Sequence, residues 1–188
     1  EPAAYAISAL ETYGLEPDEN EEIAYGVFDF GGGTTDFDFG IERKPKDGRR
    51  RYDLVQFGKG GNPYLGGENL LQLLAYEVYK SNEAEMRRNQ IQIILPAKAK
   101  MQSGLESLVL ENNRATNEAY TNMRILMEVL RPIWEEVEGY LDEFNEGRKT
   151  VKLYVEQDGS LISKDIRLTI NVEELRKILA ANILDGVN

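Results

Sequence analysis

Between Val27 and Gly40 the chain reads VFDFGGGTTDFDFG, and this stretch holds the residue types best suited to chemistry. Gly31, Gly32 and Gly33 offer three consecutive backbone amides with no side chains in the way, and such a run can form a concavity that receives an anion. Thr34 and Thr35 add hydroxyl donors beside those amides. Asp29 ends the apolar run Ile23–Phe30, which reads as a buried strand. A carboxylate there is costly unless it has a partner, and hydrated Mg²⁺ carried on phosphates is one. An ordinary hairpin needs only one or two glycines, placed where φ is positive. The surplus glycine, the threonines and the aspartate together point to a phosphate-binding loop. Phosphoryl transfer asks mainly for positioning and charge neutralisation, so such a loop can serve it without histidine.

A second glycine pair stands in LGGEN, Leu65 to Asn69, directly before an apolar run of helical spacing. Two glycines at a helix N-terminus let unpaired amides and the helix dipole meet an anion. Taken together, the two blocks suggest a cleft that grips a polyphosphate from two sides. Other phosphate motifs fail. Gly58-Lys59 lacks the upstream glycine of a P-loop and is followed by Gly60 instead of Ser or Thr, and Pro63 occupies the last glycine site of a G-x-G-x-x-G.

Composition narrows the chemistry further. The 188 residues include no cysteine and no histidine, which excludes disulfides, thiolate metal sites, zinc sites of the usual ligands and any nucleophile paired with histidine. A net charge of −11 argues against nucleic-acid or anionic-membrane partners, since both rely on a basic surface. No apolar run approaches the roughly 20 residues of a membrane helix, and no basic-then-apolar leader opens the chain, so a cytoplasmic location is expected. The opening EPAAYAISALETYGL starts inside a helical pattern, as an excised piece of a longer protein would.

These residues must be positioned by the elements around them. Ala3 to about Gly14 reads as a short helix followed by the acidic loop EPDENEE. Ile23–Phe30, the alternating TDFDFGI and Tyr52–Gly58 read as a three-strand meander, with GKGGNPYLGGEN as the loop beyond it. The tip ERKPKDGRRR gathers Arg43, Lys44, Lys46, Arg49, Arg50 and Arg51, either as a solvated hairpin end or as a docking patch for an acidic partner. Leucines 70, 71, 73 and 74 with Tyr76, Val78 and Tyr79 mark a helix. A long helical stretch is expected from about Glu83 to Phe144, interrupted near Pro96, Gly104 and Pro132. Met123, Leu126, Leu130, Ile133, Val137, Leu141 and Phe144 form its apolar stripe. The sequence from Thr150 alternates around Asp158-Gly159 as a β-hairpin, and Asn171 with Glu174 signals the start of a final helix.

In their order and spacing, EPAAYAI, VFDFGGGTTDFDFG and LGGENLL make the chain resemble part of the nucleotide-binding domain of the heat-shock protein 70 (DnaK-like) family, in the actin-like ATPase superfamily. The match runs from Glu1 to about Val78. The resemblance implies an α/β fold of the actin-like, ribonuclease H-like kind. Residues 1–66, continued by about 172–188, would form a partial sheet subdomain, and 67–171 an upper helical lobe carrying the β-hairpin. It implies ATP or ADP with Mg²⁺ as cofactors: Gly31, Gly32, Gly33, Thr34 and Thr35 around the β- and γ-phosphates, and Gly66, Gly67 and Glu68 lining the phosphate side. By the same resemblance Asp29 stands near the metal and the attacking water, and Glu1 orders metal-bound water. Asp36 corresponds to a monovalent-cation ligand, as does Asn69, which replaces the family's usual aspartate.

No Asp-x-Gly-Thr-Thr loop of the opposite lobe and no Lys-Arg-x-Leu-Ser adenosine motif is present. The expected partners are therefore nucleotide, the missing first lobe of the same protein and, through the parent, a co-chaperone or client, with no nucleic acid and no membrane. The piece alone is not expected to hydrolyse ATP efficiently. A bacterial actin-like filament ATPase, or a non-catalytic interaction module that has kept the fold, are the alternatives.

Overall fold

Strand-forming runs punctuated by glycine and charged turns fold as the expected meander. Strands β1 (Glu22–Phe30), β2 (Thr35–Arg43) and β3 (Asp53–Asn62) pair antiparallel in the order β1-β2-β3. A computed structural model of the chain describes residues 2–46, 48–135 and 147–187, and they divide into two units, Glu1–Gly67 and Glu68–Asn188. β3 runs to Asn62, four residues beyond the Gly58 expected, so Gly60 and Gly61 belong to the sheet and not to the loop.

Helix α1 (Pro2–Tyr13) packs against β1 and β2. Pro2 sits at the first helical position, where a missing N–H removes no intrahelical bond. Cross-strand partners point to the same side of a sheet, so Tyr25, Asp38, Gly40 and Glu42 share one face, and all four are buried. The Tyr25 hydroxyl donates to Asp38 Oδ1 at 2.9 Å, and the Gln56 side-chain amide donates to Asp38 Oδ2. Burial, then the bond to Asp38, pushes the Tyr25 phenol up to about 12. Gly40 admits the Tyr25 ring: a Cβ there would lie 2.5 Å from it.

The opposite face corrects the expectation of a buried strand. Phe28, Phe30, Phe37, Phe39 and Val55 are 38–60% exposed on it, because helical cover comes to the other side. Glycines seat two of these rings. Phe37 lies over Gly60, where a Cβ would come within 2.4 Å, and Phe39 lies over Gly26 at 3.0 Å.

Glu42 is fully buried and neither carboxylate oxygen has a hydrogen-bond partner among the described residues. Burial pushes its pKa above the ordinary 4.5, and Glu16 and Glu11 add to the rise while Arg51 opposes it. Arg51 itself ties Glu11 of α1 at 2.7 Å and Glu16 at 2.8 Å. Above pH 4.5 the unfolded chain has released this proton while the folded chain keeps it. Stability therefore falls as pH rises from 4.5 to the raised folded value, and stays lowered beyond it. Glu42→Leu is expected to raise stability near neutral pH by about 1–3 kcal/mol and to flatten that decline. Urea unfolding on the acidic and neutral sides of the window tests this, and a destabilised variant would reject the assignment.

In the second unit, α2 (Gly67–Ser81) buries Leu70, Leu71, Leu74, Tyr76, Val78 and Tyr79, as its spacing predicts. The long helical stretch is corrected. α3 ends after six residues (Glu83–Arg88), and the chain then makes a short parallel bridge between β4 (Ile93–Ile94) and β5 (Val109–Leu110). Gln90, Lys98 and Gly104 take positive φ and Pro96 lacks an N–H, so this region cannot continue a helix.

After a single 3-10 turn at Asn112–Arg114, α-helix resumes with α4 (Asn117–Trp134), where the Thr116 side chain accepts from the Ala119 amide. Pro132 lies inside the last turn of α4 instead of breaking it, since the helix ends two residues later. Met123, Leu126, Leu130 and Ile133 are buried as the stripe predicts, while Val137, Leu141 and Phe144 lie outside the described residues.

Strands β6 (Arg148–Gln157) and β7 (Ser160–Thr169) form the expected hairpin, with positive φ at both Asp158 and Gly159, the geometry of a tight two-residue turn. In α5 (Val172–Val187) the Asn171 side chain caps the Glu174 amide at 3.1 Å, and Leu175 joins the second unit's core.

Two buried asparagines fasten this hairpin to the helices. Asn122 of α4 donates to the carbonyls of Gln92 (2.9 Å) and Tyr154 (2.7 Å) and accepts from the Tyr154 amide at 2.7 Å. Asn82, between α2 and α3, donates to the Val78 and Thr169 carbonyls at 2.7 and 2.9 Å and accepts from the Thr169 amide at 2.7 Å. Each side-chain amide thus has both of its ends satisfied away from water.

Candidate functional site

The first unit brings its two glycine segments together. Gly31 to Thr34 joins β1 to β2, closed by the Gly31 N–H donating to the Thr34 carbonyl at 2.8 Å. Leu65–Gly67, beyond β3, docks on this loop. The Thr35 hydroxyl donates to the Leu65 carbonyl at 2.5 Å, and the Gly67 N–H donates to the Gly31 carbonyl at 3.0 Å. At Gly66 a Cβ would lie 2.5 Å from both the Gly32 oxygen and the Gly33 carbonyl carbon. Backbone therefore meets backbone where LGG crosses GGG, and any side chain at Gly66 would part them.

Closeness and not turn conformation calls for glycine at Gly31 and Gly66, where a Cβ would lie 3.2 Å from the Thr34 carbonyl oxygen and 2.5 Å from the Gly32 oxygen. Positive φ falls at Gly14, Gly48, Gly104, Gly147 and Gly159 among the described glycines, and not at Gly31, Gly32 or Gly33. Gly32, Gly33 and Thr34 are exposed, and a Cβ at Gly33 would meet nothing within 4 Å. The outer side of the clasp is thus open to a ligand, while its inner side is closed by Gly66.

Two carboxylates flank the loop. Asp29 and Asp36 are direct partners across the β1–β2 ladder and both are exposed. Like charges placed opposite each other destabilise a sheet, and a cation between or beside them would relieve the repulsion. Asp36 Oδ2 accepts from the Thr34 hydroxyl at 3.4 Å, and Asp36 Oδ1 lies where a Cβ on Gly61 would come within 2.6 Å. Gly61 thus makes room for the Asp36 carboxylate. Among the described residues no group of three or more carboxylates is placed to hold a metal ion, so a divalent cation here would have to arrive with oxygens of its ligand.

The remaining site candidates fall elsewhere. Glu68 and Asn69 lie in the first turn of α2 and belong to the second unit. Glu68 Oε1 accepts from Arg131 Nη2 at 2.8 Å, and Arg131 also holds Glu128 at 3.0 Å. Glu1 lies outside the described residues. Sequence reasoning missed the Leu65 carbonyl as the anchor of Thr35, Gly61 as the seat of Asp36, and Arg131 as the partner of Glu68. Only Gly60-Gly61 gave a signal, since a glycine pair within strand alternation marks a close approach.

Fold and site together define a mixed α/β protein in which a glycine clasp closes one end of a three-stranded antiparallel sheet. No protein-family model matches the sequence, and no curated protein matches it. Among the described residues no helix is long and apolar enough to cross a membrane.

Proposed function

We propose that the first unit carries the second phosphate loop of an actin-like ATPase of the heat-shock protein 70 type. The clasp supports this reading best: Gly66 lies against the backbone of Gly32 and Gly33, beside the opposed carboxylates Asp29 and Asp36. In this reading the exposed outer side of the loop, Gly32 to Thr34, receives the β- and γ-phosphates of ATP, while Gly31 and Thr35 hold the loop in shape through the Thr34 and Leu65 carbonyls. Asp29 orients Mg²⁺-bound water, which would attack the γ-phosphorus, and Asp36 serves a monovalent cation. The opposing phosphate loop comes from a first lobe of the parent protein. The parent is then a cytoplasmic, chaperone-like ATPase whose co-chaperones and clients engage it outside these residues.

Calorimetric titration of the intact parent with MgATP tests this. Binding that Gly32→Val abolishes and Asp29→Ala weakens less supports the reading. Absence of binding sinks it and favours a non-catalytic interaction module, for which one observation already speaks: Glu68, expected on the phosphate side, is ion-paired with Arg131.

A further inference from the structure

The loop between β2 and β3 forms a cavity of about 380 Å³ lined by Arg43, Lys44, Lys46, Arg50 and Asp53. We infer that this cavity is a second anion site, built for a compact phosphate-bearing group with two or more negative charges. It lies at the far end of β2 from the glycine clasp, eight residues from Thr35 to Arg43, or roughly 26 Å at a strand's rise per residue. Its occupant is therefore independent of any nucleotide at the clasp.

Charge distribution carries the inference. The nine residues Arg43–Arg51 hold six cations and one acid in a chain of net charge −11, so the remainder carries −16. Neighbours neutralise the flanks: Glu22 holds Arg43 at 3.2 Å, and Glu11 and Glu16 hold Arg51. Among the described residues Lys44, Lys46 and Arg50 have no ion pair, yet all three line the same cavity, with Asp53 as its one described acid. Gathering like charges in one cavity costs Coulomb energy, which an anion seated between them reverses, and the guanidinium of Arg50 can offer it a two-point fork.

The same lining selects the ligand class. Among the described residues it contains no aromatic or aliphatic residue on which a base, sugar or lipid chain could rest, so recognition stops at the oxyanion. A nucleic-acid strand would need stacking aromatics and a longer basic track, and would meet the acidic remainder of the chain.

Titration of the full chain with inorganic pyrophosphate at low ionic strength is expected to show a binding event. Replacing Lys46→Ala and Arg50→Ala together should weaken it about tenfold or more. Arg49→Ala, which removes one cation outside the lining, should change it by less than about threefold. A parallel sedimentation with vesicles bearing a polyphosphorylated headgroup distinguishes the sources of the phosphate: tighter binding to vesicles assigns a membrane headgroup, tighter binding to pyrophosphate a soluble one. Absence of pyrophosphate binding, indifference to the double substitution, or an equal loss with Arg49→Ala would each overturn the site.

Discussion

Gly66→Ala is expected to destabilise the first unit by about 3 kcal/mol, because the added methyl meets backbone atoms of Gly32 and Gly33 at 2.5 Å and neither can turn away as a side chain would. The two segments must separate for the methyl to fit. Separation loosens the Gly67 N–H bond to the Gly31 carbonyl and the Thr35 bond to the Leu65 carbonyl. For a unit of this size such a loss lowers the melting temperature by roughly 15 °C, which differential scanning calorimetry resolves. Gly33→Ala is the matched control: its Cβ enters open space, and it should shift stability by less than about 0.5 kcal/mol. Equal melting temperatures for the two variants would show that no close backbone crossing exists at Gly66. In the intact parent, Gly66→Ala should also weaken nucleotide binding, since the clasp shapes the loop that receives phosphate.

Asp29→Asn in the intact parent should lower ATP turnover by about a hundredfold or more, while nucleotide affinity falls less than about tenfold. The split follows from the role proposed for Asp29, which acts on the metal and the water, whereas the loop amides hold the phosphates. The same substitution removes one of two carboxylates that face each other across β1 and β2, so the folded state should gain up to about 0.5 kcal/mol. A variant that is slower yet slightly more stable cannot be explained by damage to the fold. Unchanged turnover would reject Asp29 as the metal and water group. Single-turnover hydrolysis with calorimetric affinity, beside a urea titration, gives all three quantities.

The elements most legible in the sequence are those whose signal is local. Alternation with glycine at the turns announces β1 to β3 and the hairpin at Asp158-Gly159, and the leucine and tyrosine spacing announces α2. Residues 89–116 were legible only as a helix interrupted near Pro96 and Gly104, not as the largely irregular segment they form. Their apolar residues, Ile91, Ile93, Ile94, Leu105 and Val109, are buried as a helix stripe would be, but backbone angles at Gln90, Lys98 and Gly104 forbid a helix.

The candidate site divides along the same line. That the GGG and LGG segments can approach closely is written in the lack of a side chain at Gly31 and Gly66. That they approach each other depends on the path of the chain through β3, which no local pattern encodes. The burial of Glu42, Asn82 and Asn122 was invisible for a similar reason: a polar residue type suggests solvent, and only tertiary partners or their absence decide otherwise.

The asparagine bonds that seat the hairpin also bear on the order of folding. Asn82 bonds to Thr169 across 87 residues, whereas Asn122 reaches Tyr154 across 32. Closing the longer span costs more chain entropy, so contacts of that range form late unless others have shortened the path. The Asn122 bond can form as soon as α4 and β6 exist, and it draws the hairpin toward the helices. Only when β7 is complete can Thr169 reach Asn82, so during synthesis the junction of α2 and α3 stays unsealed until β7 has been made.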